Sequence, residues 1–219
     1  MQFIEKVKQV LKPRGKNAFF SRLPENCRVL DVGCGNDSPR LFKSAVPDGH
    51  YTGIDVSDYR QTGPVLADEY IITSPEKFSE TIKNLPAQFD AVISSHNLEH
   101  CYDREATVEA MVHVLKPGGY LYLSFPSAAS VNFPRRQGTL NYFEDETHIG
   151  LPPEVDKIVA ALEQNGAHVV FRTERYRPFL MATVGLLHEP YSRYTSKVAL
   201  GTWEYFGFEA IIWVKKTTF

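Results

Sequence analysis

Cysteine is scarce in this chain: Cys27, Cys34 and Cys101 are the only three among 219 residues. Their odd number and lack of Cys-x-x-Cys spacing exclude a disulfide framework and offer no zinc pattern. Long apolar runs are missing as well. The longest, Phe179 to Leu187, falls well short of the roughly 20 residues that a membrane-spanning helix needs. Between Met1 and Lys16 the apolar residues are interrupted by Glu5, Lys6, Lys8 and Lys12, unlike the continuous core of a signal peptide. Nor is there an excess of one charge. Twenty-four basic residues face 26 acidic ones, for a formal net charge of -2, which supports neither nucleic acid nor an anionic membrane as a partner. There is no Gly-x-Ser-x-Gly elbow and no P-loop. These absences predict a cytoplasmic protein whose partner is a small molecule.

What is present centres on Val29-Leu30-Asp31-Val32-Gly33-Cys34-Gly35-Asn36. The apolar, β-branched half suits a strand buried on both faces, and it runs straight into two glycines. Glycine at 33 and 35 permits positive φ and close approach of a ligand to the main chain, while Ser38 and Pro39 suit the start of a helix. A dinucleotide would place pyrophosphate at that helix start, where Asp31 would repel it and Ser38 replaces the small residue of the fingerprint. A carboxylate suits a cation, such as the sulfonium and amino groups of S-adenosylmethionine. A nicotinamide oxidoreductase is therefore the less favoured alternative.

Taken in order, the chain reads as alternating strands and helices. Phe3, Ile4, Val7, Val10 and Leu11 form one helical stripe. Strands are expected at 28–33, 51–55, 70–73, 89–95, 120–125, 168–173 and 208–215. Helices are expected at about 39–46, 78–85, 103–114 and 153–164, with Asp103 as a cap. Between Asp58 and Ala67, the group Gln61, Thr62, Gly63 and Pro64 predicts a crossover reduced to a few residues. Lys116-Pro117-Gly118-Gly119 reads as a turn and Pro126 to Gly150 as a long loop, of the kind that is usually functional. Residues 174–207 are too long for a hairpin turn, and predict a lid, a substrate element or a homo-oligomer contact within a single domain, 1–219. Asp55 lies about 20 residues beyond the glycine turn, the spacing at which an acid reaches ribose hydroxyls.

Val-Leu-Asp-Val-Gly-Cys-Gly resembles motif I of the class I S-adenosylmethionine-dependent methyltransferases. Phe89-Asp-Ala-Val-Ile-Ser-Ser95, Leu98-Glu99-His100 and Leu115-Lys-Pro-Gly-Gly119 resemble their later motifs, so the likeness covers roughly residues 28–126. It implies a Rossmann-like α/β fold, with a seven-stranded, mostly parallel sheet, an antiparallel last strand, and helices on both faces. It also implies methyl transfer to a small-molecule acceptor, with a S-adenosylmethionine-binding protein of another role as the alternative. The cofactor set is then Asp31, Gly33, Cys34, Gly35, Asp55 and Val56, with Ser95, His96 and Asn97 along the methionine part. Where the family carries an acid after strand three, for adenine, this chain has Ser74-Pro75-Glu76, which leaves Glu76 as the candidate. No Asn-Pro-Pro-Tyr or Asp-Pro-Pro-Tyr motif of amino-directed nucleic-acid methyltransferases is present, nor a Pro-Cys nucleophile of the cytosine type.

For catalysis a hydroxyl acceptor must lose a proton, and histidine is best matched to that near neutral pH. Similar small-molecule methyltransferases carry an acidic-x-x-His after strand five, here Asp145-Glu146-Thr147-His148. His148 is thus the expected base, with Asp145 orienting it and His100 as the rival. The acids at 144–146 stand in sequence on one loop, so no metal is expected. Arg172, Arg175, Arg177, Arg193 and Lys197 outnumber the neighbouring acids Glu174 and Glu189, which suggests an anionic or sugar-related acceptor.

Overall fold

The computed structural model describes residues 13–59 and 67–218. The stripe from Phe3 to Leu11 and most of the shortened crossover lie outside the described residues. The strands are β1 (Arg28–Val32), β2 (His50–Asp55), β3 (Glu69–Ile72), β4 (Phe89–Ser95), β5 (Leu115–Pro126), β6 (Ala167–Thr173) and β7 (Glu209–Lys216). They form one sheet in the order β3-β2-β1-β4-β5-β7-β6. All neighbours through β5 run parallel, and β7 runs antiparallel to both β5 and β6. The expected sheet, with its antiparallel last strand, is therefore the observed one.

Hydrophobic burial on both faces explains why the inner strands read as unbroken apolar runs. One face is covered by α1 (Lys16–Phe20) and α2 (Ser38–Ala45), where Phe19, Phe20 and Phe42 pack on Val29, Tyr51 and Ile93. On the other, α3 (Phe78–Lys83), α4 (Arg104–Val114) and α5 (Val155–Gln164) pack on Leu30, Val92, Leu123 and Ile212. Asp103 caps α4 as expected, its side chain accepting from the Ala106 amide at 2.9 Å. Because β1 leads outward to β2 on one side and lies beside β4 on the other, their carboxyl ends diverge into a crevice, the usual ligand position in such sheets.

One expectation is corrected and two are given structural detail. Lys116 to Gly119 is not a turn between elements. It lies inside β5, where Leu115 pairs with Phe89 and Tyr120 with Ala91, so four residues bulge out and Gly118 takes φ +79°. The long loop holds two short 3-10 turns, Ala128–Asn132 and Tyr142–Glu144. Asn141 caps the second by accepting from the Phe143 amide, while Glu144 accepts from the Asn141 amide in return. Residues 174–207 fold into a helical hairpin, α6 (Phe179–Thr195) and α7 (Thr202–Phe206).

The hairpin is docked by a buried ion pair and by the Trp203 indole, which donates to the Thr139 carbonyl at 2.9 Å, and its two helices are joined by one close backbone approach. The buried Arg136 guanidinium donates to both carboxylate oxygens of Glu189 at 2.6 Å and to Ser192 Oγ at 2.8 Å. Gly185 on α6 lies so close to the carbonyl of Gly201 that any Cβ would collide with backbone. Gly185→Val should therefore force α6 and α7 apart, lowering stability by about 2 kcal/mol or more and Tm by roughly 4–8 °C. Thermal unfolding followed by circular dichroism measures this, and an unchanged Tm would show that the contact yields freely.

Candidate functional site

The crevice is a cavity of about 690 Å³, within the range for small-molecule sites. Its floor is the glycine turn. Gly33 has φ +73°, and a Cβ there would run into the Asn97 side chain, so no other residue fits. Asp55 closes one side at the end of β2. Its Oδ2 accepts from the Gly35 amide at 2.9 Å and its Oδ1 from the Val56 amide at 2.7 Å. Burial raises this carboxyl above its usual range, although the two amides pull it down. Each oxygen keeps a second lone pair for a ligand hydroxyl.

Of the expected cofactor residues, Gly33, Gly35, Asp55, Val56, Glu76, His96 and Asn97 line this cavity; Asp31, Cys34 and Ser95 do not. Asp31 is fully buried beneath the turn, where Tyr51 Oη donates to it at 2.8 Å and Lys16 Nζ stands 3.5 Å away. It is a support under the turn and not part of the wall. The Cys34 side chain points back at Gly53, whose Cβ would lie 2.8 Å from the sulfur. Ser95 Oγ is paired with Ser124 Oγ at 2.9 Å. Burial pushes the Cys101 thiol up to about 11, so the one cysteine on the wall is no nucleophile near neutral pH.

His96 takes φ +52°, uncommon for a residue with a side chain. Its Nε2 is 2.8 Å from Glu209 Oε1 on β7 and its Nδ1 is 3.2 Å from Glu99 Oε1. Burial opposes a charge on this ring, but the bond to Glu209 and the charge of Glu99 outweigh it and push the imidazole up to about 10. The ring is thus held between two carboxylates that favour its charged form. Sequence reading missed Glu209, which lies 113 positions away.

Across the cavity, the loop at 145–151 is pinned by Arg104, a second residue that sequence reading missed. Its guanidinium donates to the carbonyls of Leu98 at 3.0 Å, Ile149 at 2.5 Å and Leu151 at 2.8 Å. This brings both expected catalytic histidines together, with ring centroids 4.9 Å apart. His148 stacks on Tyr142 at 4.3 Å, and its Nδ1 is 2.6 Å from the Tyr142 carbonyl. A carbonyl can only accept, so Nδ1 carries the proton and Nε2 is left with its lone pair. The orienting group is therefore that carbonyl and not Asp145, which stands 3.8 Å from Nε2 and accepts from Thr147 instead. His100 Nδ1 faces Thr147, 3.0 Å from its hydroxyl.

Glu144 is caught in its capping role, and a different set among the described residues has the spacing of a cation site. Glu99, His100 and His148 each offer a ligand atom, all within 4.8 Å of one another. Glu99 is fully buried; its Oε1 is ion-paired with His96 Nδ1 at 3.2 Å, while its Oε2 has no hydrogen-bond partner. The basic residues expected to meet an anionic acceptor are elsewhere. None of Arg172, Arg175, Arg177, Arg193 and Lys197 lines the cavity; Arg172 pairs with Asp156 and Arg175 donates to the Phe206 carbonyl.

The His96 charge has a consequence for folding. Its folded-state value of about 10 lies above the ordinary 6.5, so its stabilisation is complete below 6.5 and is lost as pH rises through 10. Tm should fall between about pH 7 and 9.5, and His96→Gln should start lower and flatten that slope. An equal slope in the variant would assign the effect to other groups.

This geometry agrees with comparison to known proteins. A methyltransferase-domain family model matches residues 3–171. A ubiquinone biosynthesis O-methyltransferase of Xylella fastidiosa is 32% identical over 139 residues, 55% of this chain and 50% of its own length. Its mitochondrial namesake of Bos taurus is 28% identical over 190 residues, 76% of this chain and 45% of its own. The chain spans about half the length of these curated relatives. A solved S-adenosylmethionine-dependent methyltransferase of Mesorhizobium loti superposes with a TM-score of 0.62 at 16% identity, covering 91% of this chain and 96% of that one. No described helix is long and apolar enough to cross a membrane. With the motif-I turn, the sheet order and the family match in agreement, the chain belongs to the S-adenosylmethionine-dependent methyltransferase-domain family.

Proposed function

We propose that this protein methylates a hydroxyl oxygen of a small molecule, with His148 as the base. When bound, S-adenosylmethionine supplies an activated methyl on a positive sulfur. The residues lining the cavity fit it: Asp55 would hold the ribose hydroxyls, the main chain at Gly33 and Gly35 with His96 and Asn97 would receive the amino-acid portion, and Glu76 would meet the adenine. The observation that carries the reading is the His148 tautomer, fixed by the Tyr142 carbonyl at 2.6 Å, which leaves Nε2 able to take the proton of an acceptor hydroxyl. Relatives named as O-methyltransferases support oxygen as the acceptor atom.

His148→Ala should leave S-adenosylhomocysteine affinity unchanged by calorimetry, cut turnover by roughly a hundredfold or more, and remove the acidic limb of the pH–rate profile. Turnover near that of the wild type would reduce His148 to a loop residue. Asp55→Ala should weaken S-adenosylhomocysteine binding by about 10- to 100-fold, on the order of 1.5–3 kcal/mol for a lost charged hydrogen bond. A folded variant of unchanged affinity would overturn the ribose assignment.

A second reading is favoured by the clustering of Glu99, His100 and His148, in which Glu99 Oε2 has no hydrogen-bond partner. A divalent cation on Glu99, His100 and His148 would acidify a bound acceptor hydroxyl without a protein base. The two readings separate on chelation. Turnover abolished by EDTA and restored by a divalent ion supports the cation, whereas turnover indifferent to EDTA leaves the base.

A further inference from the structure

Helix α6 turns to solvent a face that is as apolar as its buried one. Phe179, Leu180, Leu186, Leu187, Tyr191 and Tyr194 are all exposed, Tyr194 to 90% and Leu187 to 74%. Taking full side-chain areas of roughly 150–250 Å², their exposed parts amount to on the order of 900 Å². That exceeds the few hundred Å² of the largest patch on a typical monomer and is close to the ~800 Å² per partner that stable interfaces bury.

Leu180, Leu187 and Tyr194 recur every seven residues, the spacing that keeps one seam of a helix facing a neighbour. A two-fold axis through Leu187 is self-complementary. Two antiparallel copies would set Leu180 against Tyr194, Thr183 against Tyr191, and Leu187 against itself. Arg193 is the only charged residue on this exposed face. Antiparallel pairing keeps the two Arg193 residues about 18 Å apart along the axis, beyond the Debye length, while parallel pairing would bring them together. One arginine is a poor match for an anionic bilayer, which favours a polar face rich in lysine and arginine. We infer that the occupant of this face is a second copy of the chain, and that α6 pairs with its symmetry mate across Leu187 to form a two-fold dimer.

The test is sedimentation velocity on the full chain at tens of micromolar. The wild type should run as a dimer. Leu187→Glu, which sets two carboxylates against each other on an exposed position that the fold tolerates, should run as a monomer with S-adenosylhomocysteine affinity unchanged. Cysteine scanning fixes the geometry. Leu187→Cys should cross-link to itself on oxidation and Thr183→Cys alone should not, while Thr183→Cys with Tyr191→Cys should; the buried native cysteines do not compete. A monomeric wild type, a dimer that survives Leu187→Glu, or equal cross-linking at 183 and 187 would each overturn the inference. So would a monomer that sediments with phosphatidylcholine–phosphatidylglycerol vesicles through Leu187, which would give the face to lipid.

Discussion

The hydrogen bond from the Gly35 amide to Asp55 ties the two halves of the site together. It joins the turn after β1 to the end of β2, and it fixes the main chain and the carboxylate in one act. A parallel sheet alone brings strand ends to one edge but does not aim the groups they carry. With Gly35 bound, the Asp55 oxygens cannot swing away, and the second amide, from Val56, leaves the carboxylate a single orientation. The wall of the cavity at Gly35 and Asp55 is pre-organised before any ligand arrives.

The opposite wall is built differently, from long-range polar contacts. Arg104 holds three carbonyls of otherwise irregular chain, which satisfies backbone groups that no ladder reaches. The Tyr142 carbonyl then sets the tautomer of His148. Loop positions that would otherwise be variable acquire a defined geometry, because one planar donor group bonds to several acceptors at once.

The strands through β5 were legible because buried parallel strands must be apolar throughout, and the Asp55 spacing follows from one strand–helix–strand unit. Other features left no local signal. The bulge at Lys116 to Gly119 carries the composition of a turn, and only the pairing of β5 with β4 shows that the strand continues across it. The full length of α6 was hidden because its outward face is apolar too, so no periodicity marks one side. Asp31 was read as a ligand-facing charge since its position says strand end, but strand direction sent its side chain to Tyr51 and Lys16. Arg104, Glu209 and the partnership of His148 with Tyr142 depend on folding-distance contacts that no spacing rule encodes.

The hairpin leaves the sheet after Thr173 and returns at Glu209, on strands that are immediate neighbours: Thr173 faces Ile211, and the Tyr176 amide meets the Glu209 carbonyl at 2.6 Å. Its two ends are thus about one strand spacing apart, ~4.8 Å, and the family match stops at residue 171, just before it begins. The chain is modular at this point. A change in the 174–207 segment need not disturb the register of β5, β6 and β7, provided that the residues outside it that it meets, Arg136, Phe133 and His96 among them, are accommodated.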